Sequence, residues 1–219
     1  MFKRLTTAMV VSVCLVLGLA AMAAAAGPSL LQFTIPMVDK APVIDGILDD
    51  AAWLDASIKG GKFISDVSST GAALVDYPRI VYAGYDADAL YVAYLMFAPD
   101  VNALKTDDAK WFYNDEVELI MQPNQTGAVV QYGFVTNGDI GTNGVSSEGI
   151  KNAIVKDGVR VVIEIAVPWS TIGVAAPKVG DKWGMHFSGY QTNPPLWMSH
   201  SQASGFLKPE LMGTAVFGE

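Results

Sequence analysis

The sequence predicts an all-β protein, an antiparallel β-sandwich of immunoglobulin-like or jelly-roll-like form with one or two short helices. Two observations carry this prediction. Six runs rich in β-branched and aromatic residues have the length of strands and are bounded by residues that favour turns, whereas helical signals are short and few. The predicted strands cover residues 79–85, 89–97, 116–121, 129–135, 159–167 and 183–190.

Turn chemistry joins these strands. Residues 86–88 (DAD) lie between two aromatic-rich strands and predict a hairpin, and residues 137–138 (NG) and 157–158 (DG) predict two further turns. Residues 138–149 are rich in Gly, Ser, Thr and Asn, which is typical of a long exposed loop.

Helices are predicted in two places, at residues 49–56, where Asp49 caps the first turn, and at residues 170–172 after a proline. Neither an internal repeat nor a linker divides the remaining sequence. We therefore expect residues 27–219 to form a single β-sandwich domain.

Residues 1–26 have the layout of a secretory signal peptide. Two basic residues precede an apolar run at residues 9–19, and a series of alanines leads to an expected cleavage site after Ala26. Together with the alanine-rich residues 20–26, the apolar run is about long enough to span a bilayer, so a retained membrane anchor is the alternative. Because small residues precede the site, we expect cleavage, a secreted or periplasmic protein, and no membrane contact afterwards.

The charge and the cysteine content of the sequence exclude several classes of function. The 219 residues include 14 Lys and Arg against 22 Asp and Glu, and loss of the leader leaves 12 basic and 22 acidic residues, a net charge of −10. Nucleic-acid binders need a positive footprint, so nucleic acid is not an expected partner. The one cysteine, Cys14, lies in the leader, which excludes disulfides, cysteine catalysis and Cys-ligated metals in the cleaved chain.

The sequence contains no catalytic constellation that we can identify. His186 and His200 lack the spacing of a two-His metal site, and nucleophile elbows, phosphate loops and dinucleotide fingerprints are absent. Glu116 and Glu118 alternate along a predicted strand with α-carbons about 7 Å apart, a separation compatible with glycoside hydrolysis. Acids on one face are more typical of a solvated or polar binding surface, so the chain is predicted not to be an enzyme.

An acidic run at residues 45–50 (DGILDD) offers the oxygen ligands that Ca²⁺ prefers. It lacks the full spacing of a helix-loop-helix calcium loop, and helix capping explains part of it. We expect no required cofactor, and a structural calcium ion remains an alternative.

Aromatic residues are the stronger functional signal. Trp111 and Phe112 directly precede a predicted strand, and Trp197 and Phe206 lie in a Pro- and Ser-rich segment outside the predicted strands. Exposed rings bind sugars by apolar stacking while carboxylates and amides take the hydroxyls. The alternative is that these rings close the ends of the sandwich core.

Five motifs in order resemble family 9 carbohydrate-binding modules. They are residues 42–53 (PVIDGILDDAAW), 85–93 (YDADALYVA), 114–119 (NDEVEL), 164–169 (EIAVPW) and 180–184 (GDKWG). The resemblance runs from about residue 40 to the C-terminus. It implies a β-sandwich, mostly found attached to glycoside hydrolases, in which two tryptophans and surrounding polar residues clamp a sugar.

Carried over by position, the resemblance places the first clamp ring at Phe112 or its neighbour Trp111, the second at Phe206 and the site glutamate at Glu118. Trp197 lies near the second ring in the sequence. These five residues form the predicted ligand site, with no catalytic residue and no assigned metal ligand.

The sequence also departs from the family pattern. The position of the site arginine falls on Gly133, and the amide positions fall near Ser188 and Ala203. Several matching residues, among them Asp45 and Trp53, are of the kind that defines a fold rather than a ligand site.

The sequence therefore predicts a secreted, non-catalytic protein that binds polysaccharide or oligosaccharide and is accessory to glycoside hydrolysis and carbohydrate catabolism. One alternative is a haem-b-binding electron-transfer module of a related sandwich group, with Met96, Met121, Met198 or Met212 as an axial ligand. Another is an envelope domain that binds other proteins.

Overall fold

The computed structural model describes residues 31–201 and 205–219, so the predicted signal peptide lies outside the described residues. This part of the chain contains twelve strands, two α-helices and three 3₁₀ turns. The strands are β1 (Gln32–Pro36), β2 (Lys62–Ser68), β3 (Leu74–Tyr85), β4 (Ala89–Phe97), β5 (Glu116–Gln122), β6 (Val130–Val135), β7 (Ile140–Thr142), β8 (Lys151–Asp157), β9 (Arg160–Pro168), β10 (Lys182–Thr192), β11 (Pro195–Ser199) and β12 (Gly213–Gly218). The helices are α1 (Ala51–Ile58) and α2 (Trp169–Ile172), and the 3₁₀ turns cover Trp111–Tyr113, Pro123–Gln125 and Pro209–Leu211.

The twelve strands form one curled sheet. Its hydrogen-bonded order is β7-β6-β5-β10-β11-β2-β3-β4-β9-β8, and β12 pairs with both β10 and β1. The pairs are antiparallel apart from β1 with β12. The sheet folds over at β11, which pairs with β10 and with β2. One layer is thus built around β5, β6 and β10 and the other around β3, β4 and β9, which confirms the predicted antiparallel β-sandwich with two short helices.

The core lies between these two layers. Phe187 of β10 stacks on Phe63 of β2 with 5.1 Å between ring centroids, and Tyr94 of β4 meets Phe187 edge-on. The Tyr94 hydroxyl also donates a hydrogen bond of 2.7 Å to the backbone carbonyl of Glu118 in the opposite layer. Burial of each such ring contributes about 1.5–3 kcal/mol, so aromatic side chains carry much of the contact between the layers.

The six predicted strands correspond to β3, β4, β5, β6, β9 and β10. The three predicted turns join β3 to β4, β6 to β7 and β8 to β9. In the first of them, Asp86 Oδ1 accepts hydrogen bonds from the backbone N–H groups of Asp88 and Ala89. The prediction of a long loop at residues 138–149 was wrong in part, because β7 lies within it and pairs with β6.

Helix α1 covers part of the outer face of the second layer. It begins at Ala51 and not at Asp49, and the residue at its N-cap is Asp50, whose side chain makes no capping hydrogen bond. The Asp50 carboxylate instead accepts a hydrogen bond of 2.9 Å from the backbone N–H of Val43. The predicted cap at Asp49 was therefore wrong, because the N-cap position falls one residue later, on Asp50, and the Asp50 side chain fixes the preceding loop rather than the helix.

The buried carboxylate of Glu164 on β9 holds this loop and α1 against the sheet. Its Oε2 accepts hydrogen bonds from the backbone N–H groups of Asp45 (2.9 Å) and Gly46 (2.7 Å), and its Oε1 accepts one from Trp53 Nε1 (2.7 Å). Gly46 has a φ of 87°, and a β-carbon there would collide with Val155. Two of the family-like motifs thus meet in one structural contact.

Candidate functional site

An open cleft of about 380 Å³ lies on the outer face of the first layer, turned away from the core. Its lining consists of Ser69, Phe112, Glu118, Gln131, Trp197, Gly205 and Phe206. Four of the five predicted site residues therefore come together around one concave surface, although they come from separate segments of the chain.

The strands explain how these side chains converge. Alternation along β5 turns Val117 and Leu119 into the core and Glu118 to the outer face, where Gln131 of the neighbouring strand β6 joins it. Trp197 lies in β11, opposite Tyr190 of β10. The prediction that Trp197 lies outside the regular strands was therefore wrong.

Trp111 is not among the lining residues of the cleft. Its indole lies against Gly133 of β6 and Gly141 of β7, and a β-carbon at either glycine would overlap the ring. Gly133 is the cross-strand partner of Glu118, so the indole covers the part of the sheet where the resemblance places an arginine. Trp111 packs edge-on against Phe112, with 5.4 Å between centroids, and supports that ring.

Glu118 lies beneath the surface of the cleft. Its side chain is fully buried, and its two oxygens accept hydrogen bonds of 3.1 Å from Gln131 Nε2 and Ser188 Oγ. Burial raises the pKa of Glu118 to about 7. Gln131 is only half-buried, whereas Glu118 is fully buried. The polar group exposed in the cleft is therefore the Gln131 amide and not the Glu118 carboxylate.

Glu116 is also fully buried, so neither acid forms part of a solvated face. Of the other expectation, a polar binding surface, the structure places only Glu118 at the cleft. Among the described residues, neither of its carboxylate oxygens has a hydrogen-bond partner. Burial raises the pKa of Glu116 well above its usual range, and the neighbouring Glu118 adds to the effect. Since neither acid has exposed surface, the pair gives no support to a glycosidase mechanism.

Further rings continue from the cleft along the same face. The Trp197 ring lies 5.6 Å from Phe206 and 4.6 Å from Tyr190 between centroids. Tyr113 lies 6.1 Å from Tyr190 and 6.4 Å from Trp197 and is 42% exposed. We call Phe206, Trp197, Tyr190 and Tyr113 the aromatic cluster. Sequence analysis missed Tyr190, which its strand pairing with Trp197 brings to the site.

The two histidines do not form a metal site. Burial lowers the pKa of His186 to about 4 and that of His200 to about 3, so both rings are neutral at pH 7. His186 Nδ1 is hydrogen-bonded to Ser201 Oγ, and His200 Nδ1 accepts a hydrogen bond from the backbone N–H of Phe187. Within residues 31–201 and 205–219, no group of three or more His, Cys, Asp and Glu could hold a metal ion.

The methionines named for haem ligation are core residues. Met96, Met121, Met198 and Met212 are all buried, with at most 4% of each residue exposed.

Ala203, one of the positions that the resemblance assigned to an amide, lies outside the described residues. No described helix is long and apolar enough to cross a membrane.

Comparison with known families gives the class of the chain. The family model described as "Carbohydrate family 9 binding domain-like" matches residues 44–216, most of the sequence. The chain belongs to this family. The family is one of binding domains, and no curated protein matches the sequence.

Solved structures show the same fold. A family 9 carbohydrate-binding module from Caldicellulosiruptor kristjanssonii in complex with cellotriose superposes with a TM-score of 0.70 at 16% identity, covering 85% of this chain and 93% of the module. The same kind of module in complex with glucose gives 0.69 at 17% identity, covering 86% and 96%. A crystal structure from Bacteroides uniformis gives 0.67 at 14% identity, covering 86% and 100%.

Proposed function

We propose that the chain is a non-catalytic carbohydrate-binding protein and that the cleft is its binding site. The observation that carries this proposal is the convergence of Phe112, Trp197 and Phe206 around the half-buried amide of Gln131. Aromatic faces stack on the apolar faces of sugar rings, while an amide both donates to and accepts from hydroxyls. Family membership and the related modules with bound cellotriose and glucose support it.

Glu118 acts in this site as a positioning residue. Its carboxylate holds Gln131 Nε2, which fixes the orientation of the amide toward the cleft. This differs from the expectation that Glu118 itself accepts hydroxyl protons, because its side chain has no exposed surface. The polar specificity of the site accordingly resides in Gln131 and the hydroxyl of Ser69.

The first test is a glycan-array screen of the purified protein, followed by titration of any hit with tryptophan fluorescence as the readout. We expect saturable binding that changes the emission, and its loss in the double variant Trp197→Ala, Phe206→Ala. Leu207→Ala, at an exposed position beside Phe206, serves as the matched control and is expected to bind normally. A folded protein that binds nothing on the array, or a double variant that binds normally, would overturn the proposal.

We further propose that the protein is exported, as secreted or periplasmic protein, and is accessory to carbohydrate breakdown without nucleic-acid or membrane partners. The apolar leader with its small residues before Gly27 and the acidic composition support this. Expression of the full chain with mass spectrometry of the exported fraction is expected to give an N-terminus at Gly27. A full-length chain retained with the membrane fraction would contradict export.

A further inference from the structure

A second pocket, of about 150 Å³, lies at the end of the sandwich where strands β4 and β10 end. It reaches between the two layers to Arg79 of β3 and Met96 of β4, and Leu104 and Asp115 also line it. We call this space the end pocket. Among the described residues, none lines both the end pocket and the cleft, so the two are separate sites.

Arg79 is the residue of the end pocket that needs a partner. It is only 2% exposed, and it takes part in none of the three ion pairs found in the described part of the chain. Its Nη2 donates a hydrogen bond of 2.7 Å to the backbone carbonyl of Tyr190, whereas Nη1 has no hydrogen-bond partner among residues 31–201 and 205–219. A buried cation without a counter-ion is costly, and a ligand that carries negative charge would offset that cost.

Two acids near Arg79 leave its guanidinium available. Burial raises the pKa of Glu116 well above its usual range, which favours the neutral form of this side chain. The Asp115 carboxylate accepts three hydrogen bonds, from the backbone N–H groups of Lys105 and Thr192 and from the Thr192 hydroxyl. The acceptor capacity of Asp115 is therefore largely used, and the guanidinium keeps N–H donors for a further acceptor.

The rest of the end pocket suits a short carbon chain. Met96 and Ala98, both buried, and the half-buried Leu104 give it apolar walls. A guanidinium is the side-chain group that best matches the two oxygens of a carboxylate. We infer that the end pocket binds a small organic carboxylate, with the carboxylate at Arg79 and the carbon chain against Met96 and Leu104.

Titration of the purified protein with butyrate, followed through the NMR signals of the methionine methyl groups, tests this inference. We expect saturable shifts of the Met96 methyl signal and none of Met121, which does not line the pocket. Butyramide has the same size without the charge and should bind about tenfold more weakly or worse, because a charged hydrogen bond is lost. Glucuronate is the second anion, and tighter binding of glucuronate than of butyrate would identify the carboxylate as that of a sugar acid.

Two variants test where the carboxylate binds. Ala103→Trp fills the rim of the end pocket with an indole and leaves Arg79 in place, so it should abolish the Met96 shift. Ala128→Trp, at an exposed alanine outside the pocket, is the matched control and should bind butyrate normally. Arg79→Lys keeps the charge but loses the paired donors, and it should bind butyrate about tenfold more weakly. Unfolding temperatures check that each variant is folded.

Three results would overturn the carboxylate site. They are equal binding of butyrate and butyramide, a Met96 shift that persists in Ala103→Trp, and a Met96 signal that neither butyrate nor glucuronate moves. Each of these results leaves the proposed function of the cleft as it stands, because the glycan array and the Trp197→Ala, Phe206→Ala variant test that function separately.

Discussion

Two fully buried glutamates occupy equivalent places in the two layers and have different surroundings. Glu164 on β9 faces the outer side of one layer, and Glu118 on β5 faces the outer side of the other. The carboxylate of Glu164 accepts three N–H groups, all from the segment around α1 that covers it. That of Glu118 accepts two side-chain donors and lies under an open cleft.

The difference separates a structural contact from a site left open for a ligand. On the outer face of the second layer, the segment around α1 covers Glu164. Its carboxylate accepts hydrogen bonds from backbone and indole N–H groups, which can only donate. On the other face the donors are an amide and a hydroxyl, which can rotate or flip. The first arrangement stabilises the fold, whereas the second holds one end of the Gln131 amide and leaves the rest of it facing the cleft.

Replacing each glutamate by glutamine should give the largest contrast. In Glu164→Gln an amide N–H₂ group faces backbone or indole N–H donors, leaving at least one buried donor unpaired. We expect a loss of about 2–4 kcal/mol in the free energy of unfolding. In Glu118→Gln the amide of Gln131 can flip and the Ser188 hydroxyl can rotate, so we expect a loss of less than about 1 kcal/mol.

Urea unfolding of the two variants measures this contrast in stability. In a glycan titration we expect the opposite order, with the larger loss of affinity in Glu118→Gln. Glu118→Gln should bind glycan more weakly because Gln131 loses its fixed orientation, while folded Glu164→Gln should bind as the parent does. Equal losses of stability in the two variants would contradict the division between structural contact and open site.

A methyl group added under Trp111 should disturb the cleft face alone. In Gly133→Ala the new β-carbon would overlap the indole, which must move and carry Phe112 with it. We expect a loss of about 1–3 kcal/mol in stability and weaker glycan binding. Gly184→Ala on β10 is the matched control, because its β-carbon would meet mainly the flexible side chain of Met212 at 3.1 Å. Unaltered glycan affinity in Gly133→Ala would show that Trp111 does not position Phe112.

The smallest effect concerns pH. Burial raises the pKa of Glu118 to about 7, above its ordinary value of 4.5, so between these values the folded state holds a proton that the unfolded state lacks. Its contribution to stability is therefore lost as the pH rises from about 4.5 to 7. His186 and His200 act in the opposite direction, because their lowered pKa values make the unfolded state the better proton binder below about 6.5.

The difference between the parent and Glu118→Gln separates the titration of this pair of glutamates from that of the histidines, because loss of the Glu118 charge also relieves Glu116. Unfolding free energies at pH 5 and pH 7.5 should show the variant gaining about 1–2 kcal/mol on the parent as the pH rises. A difference that is constant across this range would mean that Glu118 keeps an ordinary pKa in the folded state.

Much of the fold could be predicted because its central strands carry continuous apolar runs. β4 is an example, and in β9, which lies beside it, the apolar run is interrupted only by Glu164. The strands that were not predicted are β1, β2, β7, β8, β11 and β12. Among them, β7 has only three residues and β8 is largely exposed, so both are weak signals. Asp49 looked like a cap because the sequence cannot show which of two adjacent aspartates the loop recruits.

The candidate site was predictable only in part, for a physical reason. Phe112 and Phe206 could be named from the positions that the family resemblance assigns to the clamp rings, but the exclusion of Trp111 depends on Gly133 and Gly141 meeting beneath it. That meeting is a matter of cross-strand register between β6 and β7. Gln131 could have been found from the alternation along β6, which places it on the same face as Gly133.

Strand β11 is the seam at which the sheet folds from one layer to the other, and it is joined to β2 through only two register pairs, Met198 with Ser68 and Ser199 with Val67. Ser69, which directly follows β2, lines the cleft together with Phe112 and Gln131 of the first layer. A glycan held between them would bridge the seam, so its binding energy would add to the closure of the sandwich. The bound glycan would then stabilise the closed sandwich. It would raise the unfolding temperature of the whole protein in proportion to the logarithm of the glycan concentration.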